Sequence, residues 1–438
     1  MTATLRSVSL CEWETLGPAT CEELKGFFPD GSSNVRNTIE QLSERNLLGV
    51  RELRHGLEIQ AFSYVGRIRI GDLCVSVLPK IRGESLLRLI RYAYGCGRLH
   101  FVSDSKHQVD QWGFEDLLIS QLNTEIWDLI QRGLLRSYIL QRESLGSPRG
   151  RIDINQIALE GGIVSAAIPC IHHPRTTDTL LNRVLLGGLK VAASVASAIE
   201  LRRESRELVS LMQEQVSSIQ LDATVLNRAM RQMNRLTTAY SAALTIIQLL
   251  IEAQGISLQG NMTSYQLPGF LFDMNKFFQA LLSRFLRENL DGFSVRDEYP
   301  LMHMLKYNDK FNPKGSPPPT PKADYVIEQY GVIKAILDAK YRDLWRNKLP
   351  REMLYQLVIY AISQSKNPQS TILYPSTDSN AKEARIDVAD VLYGKHIGQV
   401  CIRPVYIPGL LEAISDGTVN GRRIRKKQAF RLAFGTCP

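Results

Sequence analysis

Asp324, Asp338 and Lys340 stand in the stretch ADYVIEQYGVIKAILDAKY, residues 323–341. Their neighbours are mostly apolar and β-branched, so the stretch reads as two short strands around a turn near Tyr330–Gly331. Side chains alternate along a strand, which puts Asp338 and Lys340 on one face and Ala339 on the other. A hairpin turning there sets Asp324 roughly opposite Ile336 or Asp338, and register decides which. The three groups then converge on one patch. Buried charge without a partner is costly, and a metal ion is an economical remedy. Two oxygen ligands plus retained waters suit Mg²⁺, which binds phosphate oxygens in the same manner. Such an ion offsets charge growing on a phosphate, while Lys340 orients or deprotonates an attacking water or stabilises the transition state. For the tripeptide DAK taken alone, a structural Asp–Lys pair on a half-exposed strand is the simpler account, and only the earlier aspartate, the apolar run before Asp338 and the following helix turn the reading toward a metal site.

The elements around this stretch must hold it. A segment with five prolines, FNPKGSPPPTPKA, leads into Asp324 and resists regular structure. After it, apolar spacing predicts a helix over 349–364, in which Gln356 and Tyr360 lie four apart on one face and can point back at the strands. A core tyrosine beside an exposed glutamine fits that spacing too. An earlier helix is expected over 271–289, and further strands over FSVRDEYPLMHML, STILYPS and QVCIRPVYI. The front of the chain is β-rich: residues 57–81 alternate with period two around a Gly71-Asp72 turn. Residues 176–255 read as helical, opening at Thr177 or Asp178 as the N-cap. Gly and Pro in SLQGNMTSYQLPG mark a boundary at 257–269. The expected partition is a β-rich part over 1–170, a helical connection over 171–262, an α/β part with a central mixed sheet over 263–415, and a basic tail over 416–438. The fold class is α+β and multidomain.

Composition bounds the function. With 44% hydrophobic and 22% charged residues, the 438-residue chain can bury large cores and is not disordered. The formal charge of +9 permits nucleic acid or an acidic partner without requiring either. Seven cysteines, none in a CxxC pair, argue against a zinc site or a disulfide scaffold and for a reducing, cytoplasmic setting. No apolar run is long and uninterrupted enough to span a membrane, and the N-terminus lacks a signal-peptide core. No GxxxxGK[ST] loop is present, so this chain is not expected to bind a nucleoside triphosphate in that manner. The run RRIRKK offers Arg422, Arg423, Arg425, Lys426 and Lys427 as DNA-binding candidates, although a solvated, disordered terminus accounts for it more simply.

An aspartate, then Asp-x-Lys on the next strand, then Gln-x-x-x-Tyr on a helix resembles the PD-(D/E)XK nuclease superfamily, the helix being similar to its RecB-like branch. In order along the chain, YVGRIRIGDLCVSVLPKI, RGRIDI, HHPRTTDTLLNRVL, FLFDMNKFF, LDAKY and IRPVYIPG resemble the McrC family, the nuclease subunits of McrBC-type modification-dependent restriction systems. The resemblance implies a C-terminal PD-(D/E)XK core in which Asp324 and Asp338 bind Mg²⁺, Lys340 is the catalytic lysine, and Gln356 and Tyr360 support the site. It also implies double-stranded DNA as substrate and an McrB-like AAA+ GTPase hexamer as partner. That partner would be entered and stimulated by the first ~170 residues and would itself recognise modified DNA. Two positions depart from the family. Gln279 stands where Glu follows FDMN-x-x-F, and PKAD stands where Arg-Pro-Asp is usual. A neutral amide is a weaker ligand and no base, so a non-catalytic activator of an AAA+ NTPase is the alternative.

Overall fold

The computed structural model describes residues 6–29, 33–96, 112–161, 166–254, 269–302, 304–364 and 368–435. They form two compact units: residues 1–65, 70–95 and 273–438 make the first, and residues 66–69 and 96–272 the second. The boundary expected at 257–269 falls almost wholly outside the described residues, and the break expected at 170 lies inside the second unit.

The chain opens with β1 (Arg6–Cys11), β2 (Thr15–Leu16), α1 (Ser33–Glu44), β3 (Leu48–Leu53), β4 (Gly56–Ala61), β5 (Tyr64–Ile70), β6 (Leu73–Leu78) and α2 (Gly83–Tyr94), all in the first unit except residues 66–69 of β5. Period-two burial in residues 57–78 matches the strands expected there, and Gly71, at φ 58°, makes the turn between β5 and β6. β1 lies parallel to β6, from Arg6 opposite Leu73 to Cys11 opposite Leu78.

The second unit holds α3 (Phe114–Arg132), β7 (Ser137–Tyr138), β8 (Gln141–Leu145), β9 (Arg151–Ile152), α4 (Ile154–Leu159), β10 (Ile168–His172), β11 (Arg175–Thr176), α5 (Leu180–Val195), α6 (Ile199–Gln213), α7 (Ala223–Arg231) and α8 (Ser241–Ala253). α5 and α8 approach so closely that a Cβ on Gly188 would lie 2.4 Å from the Ile247 side chain. The cap of α5 is Thr179, not Thr177 or Asp178: its side chain accepts from the Asn182 N–H at 3.3 Å. Asp178 instead receives two hydrogen bonds from Arg183, each 2.7 Å, which hold its carboxyl well below the usual range. The sheets β8-β10-β9 and β7-β11 expose Tyr138 and Ile152, Leu140 is exposed between β7 and β8, and Ile154 and Leu159 of α4 are exposed beside them in the chain.

From β12 (Gly269–Asp273) the chain enters α9 (Met274–Asn289). The helix therefore begins three residues later than its pattern suggests, because Leu271–Asp273 run as strand and the Asp273 carboxylate accepts from the Asn275 N–H at 2.9 Å as the cap. Then follow β13 (Ser294–Pro300), β14 (Lys322–Gln329), β15 (Val332–Ala339), α10 (Arg351–Ile362), β16 (Gln369–Ser376), β17 (Ala384–Ala389), β18 (His396–Tyr406), α11 (Ile407–Ser415) and α12 (Val419–Phe434). The sheet runs β13-β14-β15-β16-β18-β17 and is mixed, with β15, β16 and β18 mutually parallel and the others antiparallel. α10 makes the crossover that parallel β15 and β16 require.

Both sheet faces are covered. Val326, Ile336 and Tyr360 of α10 share one buried cluster, and Leu357 of α10 packs with Ile372 and Val400 in another. Each such side chain contributes about 1.5–3 kcal/mol on full burial. Tyr325, which alternation turns to the opposite face, donates from its hydroxyl to the Gln279 carbonyl of α9 at 2.8 Å. α2 lies against α9, where the Tyr92 hydroxyl donates to Glu288 at 2.6 Å and Arg284 sits 5.1 Å over the Tyr92 ring. This packing draws residues 70–95 into the unit of the large sheet.

The basic segment is not a disordered tail. Thr418 caps α12 by accepting from the Gly421 N–H at 3.1 Å, and Ala429, Leu432 and Ala433 are buried. Among the described residues, no helix is long and apolar enough to cross a membrane.

Candidate active site

Register puts the site together. Tyr325 pairs with Leu337 and Val326 with Ile336 in the antiparallel β14–β15 ladder, which carries on to set Asp324 opposite Asp338. A bulge at Ile327/Glu328 and the Tyr330–Gly331 turn fix that register. Gln329 pairs with Val332, so the loop has two residues, with φ 51° at Tyr330 and 75° at Gly331. Paired positive φ values are the mark of the hairpin turn whose twist matches the strands.

Asp338 is 2% exposed. The Lys340 ammonium lies 3.0 Å from Asp338 Oδ2 and 3.7 Å from Asp324 Oδ2. Asp324 Oδ2 also accepts from the Ala339 N–H at 2.7 Å, which ties the carboxylate to the neighbouring strand. Burial pushes the Asp338 carboxyl up to about 6; the charge of Asp324 adds to the rise and Lys340 opposes it. For Lys340, burial acts downward, but Asp338 and Asp324 outweigh it and raise the amine. Two carboxylates thus share one ammonium, leaving an excess negative charge on a shielded patch. That donor set fits a hydrated divalent cation, which keeps several waters and needs only one or two carboxylates. Among the described residues, no group of three or more His, Cys, Asp or Glu side chains gathers to hold a metal.

Gln356 and Tyr360 come together as their spacing predicts, but they reach the strand through its backbone. The Gln356 amide donates to the Tyr360 hydroxyl at 2.7 Å, and that hydroxyl donates to the Lys322 carbonyl at 2.8 Å. Gln279 is half-buried on α9; its carbonyl accepts from Tyr325, while its side chain makes no hydrogen bond to Asp324, Asp338 or Lys340. The basic residues divide. Arg425 donates to the Ala413 carbonyl at 2.8 Å and also to that of Asp416, and Lys426 pairs with Asp291. Arg422, Arg423 and Lys427 are exposed.

Two residues near the site, Glu12 and Trp13, lie in no motif that points to them. Glu12, Trp13 and Asn275 each hold a polar group of Tyr341, the residue after Lys340. Glu12, Trp13 and Tyr341, with Lys80, Asp343 and Ser376, line a small open pocket. Burial pushes the Glu12 carboxyl up to about 7, against Lys80 and the Tyr341 hydroxyl, and its Oε2 has no hydrogen-bond partner.

The comparisons with known proteins bear on this arrangement. Residues 59–375 match the family model described as McrBC 5-methylcytosine restriction system component. No curated protein matches the chain. Among solved structures, the chain is similar to one from the assembly of Thermococcus gammatolerans McrB AAA+ hexamers with bound McrC. Identity is 17%, 96% of this chain and 98% of that chain are covered, and the TM-score is 0.61. A cryo-EM structure of the Thermococcus gammatolerans McrBC complex shows 18% identity over 65% of this chain and 88% of that chain, with a TM-score of 0.45. The matched segment is most of the sequence and includes both aspartates and the lysine, so the chain belongs to the McrBC family of restriction-system components.

Proposed function

We propose that this chain is the McrC-type subunit of a cytoplasmic McrBC-like complex and the Mg²⁺-dependent endonuclease that cuts double-stranded DNA within it. The observation that carries the reading is the meeting of Asp324, Asp338 and Lys340 on one strand face, with two carboxylates sharing a single ammonium. The strands β14, β15, β16 and β18, with α9 and α10, serve as a PD-(D/E)XK core. Asp324 and Asp338 hold the ion, which when bound polarises a phosphate oxygen and offsets its growing charge. Lys340, kept as an ammonium by the two aspartates, orients the attacking water and offsets charge growing on the phosphate. Tyr360 and Gln356 keep β14 at the height that brings Asp324 level with Asp338.

Partner binding rests on different residues. An McrB-like AAA+ GTPase hexamer is the partner, and GTP turnover belongs to it. The exposed apolar side chains Tyr138, Leu140, Ile154 and Leu159, within the stretch expected to face that partner, support this. Arg423 and Lys427, with Arg422 beside Asp291, are exposed toward solvent and would meet the DNA backbone, whereas Arg425 and Lys426 are engaged in the fold.

The test is reconstitution with the partner ring, GTP, Mg²⁺ and plasmid containing 5-methylcytosine. The wild-type chain should cleave, and Asp338→Ala should stimulate GTP turnover equally without cleaving. Cleavage by Asp338→Ala at near wild-type rate overturns the assignment. Gln279 favours the second reading, a non-catalytic activator, for which the wild-type chain would raise GTP turnover and cut nothing at any Mg²⁺ concentration.

A further inference from the structure

The strand β15 ends at Ala339, one residue short of Lys340. The Lys340 N–H still donates to the Leu373 carbonyl at 3.0 Å, but Tyr341 lies past the ladder. In place of sheet pairing, Tyr341 is held by side chains from distant parts of the chain. Its N–H donates to Asn275 Oδ1 at 3.1 Å, its carbonyl accepts from the Trp13 indole N–H at 3.2 Å, and its hydroxyl donates to Glu12 Oε1 at 3.3 Å. Its ring meets Phe278 edge-on at 5.9 Å. Trp13 is itself constrained: it sits at φ 64°, with the Arg342 guanidinium 5.2 Å over its ring. A bulky residue keeps a left-handed backbone only where its surroundings over-determine it. Asn275 is anchored in turn, donating to the Ser63 hydroxyl at 2.6 Å.

We infer that Trp13, Glu12 and Asn275 are positioning residues that fix Lys340 by clamping Tyr341, so the turn that follows the chain's first strand is a working part of the nuclease centre. The inference rests on the nuclease reading above. Its physical basis is reach. Lysine has a long flexible stem, and where its ammonium can dwell depends on the placement and direction of its Cα. One side of Lys340 is set by the β15–β16 ladder; the other is set by Tyr341. A displacement of about 1 Å at a catalytic group costs up to roughly a hundredfold in rate. Asp324 and Asp338 sit within the ladder and do not depend on this clamp.

The experiment replaces Trp13 with 3-benzothienylalanine, which keeps the bicyclic ring and removes only the N–H, alongside Trp13→Phe, Tyr341→Phe and Lys340→Ala. Single-turnover cleavage by the full complex is followed against Mg²⁺ concentration and pH. Loss of the N–H should slow cleavage roughly tenfold at saturating Mg²⁺. It should leave the half-saturating Mg²⁺ concentration unchanged and displace the pH–rate profile. Tyr341→Phe, which leaves the main-chain bonds in place, should have a smaller effect of the same kind and stands in if the Trp13 variants do not fold. An inactive Lys340→Ala beside folded Trp13 and Tyr341 variants that cleave at wild-type rate overturns the clamp. So does a shift in Mg²⁺ requirement without a change in saturated rate. A Lys340→Ala chain that cleaves normally overturns the nuclease reading instead.

Discussion

The Tyr360 hydroxyl donates to the carbonyl of Lys322 at 2.8 Å, joining α10 to β14 two residues ahead of Asp324. It also accepts from Gln356, so the pair acts as one fixture. Tyr360→Phe leaves the ring in its cluster but strands the Lys322 carbonyl and the Gln356 amide. The expected cost is about 1 kcal/mol of stability, with cleavage slowed several-fold and the Mg²⁺ requirement raised because Asp324 moves. Thermal midpoints and a metal titration check this; an unchanged titration would mean that the fixture has no bearing on the site.

Lys340→Ala should reduce cleavage by at least about a hundredfold, a typical share for a group that stabilises transition-state charge, while far-UV circular dichroism and partner binding stay as in the wild type. Lys340→Arg should not restore the rate, since a broad planar guanidinium does not take the place of a compact ammonium between two carboxylates. Gel assays of plasmid cleavage distinguish these cases. Rescue by arginine would leave the side chain only a charge to supply.

Gln279→Glu should lower the Mg²⁺ concentration that gives half-maximal cleavage, because at this position of α9 a carboxylate supplies a negative charge and an amide only a neutral oxygen or a hydrogen bond to a metal-bound water. The Gln279 carbonyl already receives Tyr325, which neighbours Asp324, so backbone disturbance by the substitution is small. An unchanged Mg²⁺ dependence would make Gln279 a packing residue of α9.

Glu12 gives a pH prediction with a definite sign. Its carboxyl is raised from 4.5 to about 7, chiefly by burial, so folding takes up a proton between those values. The folded state is therefore unpenalised below about 4.5, loses stability as pH rises through the interval, and bears the full cost above about 7, of order 3 kcal/mol. Glu12→Gln has no such titration. Its thermal midpoint relative to wild type should climb by several degrees between pH 5 and pH 8. Parallel curves would show that Glu12 is ionised throughout.

The hairpin was legible because its cues are local. Tyr330–Gly331 supplies the positive φ values, β-branched residues supply the strands, and the two-residue alternation puts Asp338 beside Lys340. The α10 pair was legible in the same way, four residues apart. Features set by long-range packing were not. Trp13 and Tyr341 are 328 residues apart, and no spacing rule connects them. Thr179 rather than its two neighbours caps α5 because Asp178 is drawn to Arg183 and Ser217. The basic run RRIRKK reads as solvent-exposed chain because the buried stripe Ala429, Leu432 and Ala433 that anchors α12 comes only after it.

The Tyr341 clamp also orders events in time. The two aspartates lie 14 positions apart on one hairpin, so their meeting is a local event of the microsecond kind. Glu12 and Tyr341 are separated by 329 positions, so closing the clamp is a long-range event and a slower one. A chain clipped so that it begins at Glu14 would therefore still assemble the acidic pair, but without the indole and carboxyl groups that hold Tyr341. A nuclease arranged in this way would keep its metal ligands and lose the posture of its lysine when its opening residues are cut away.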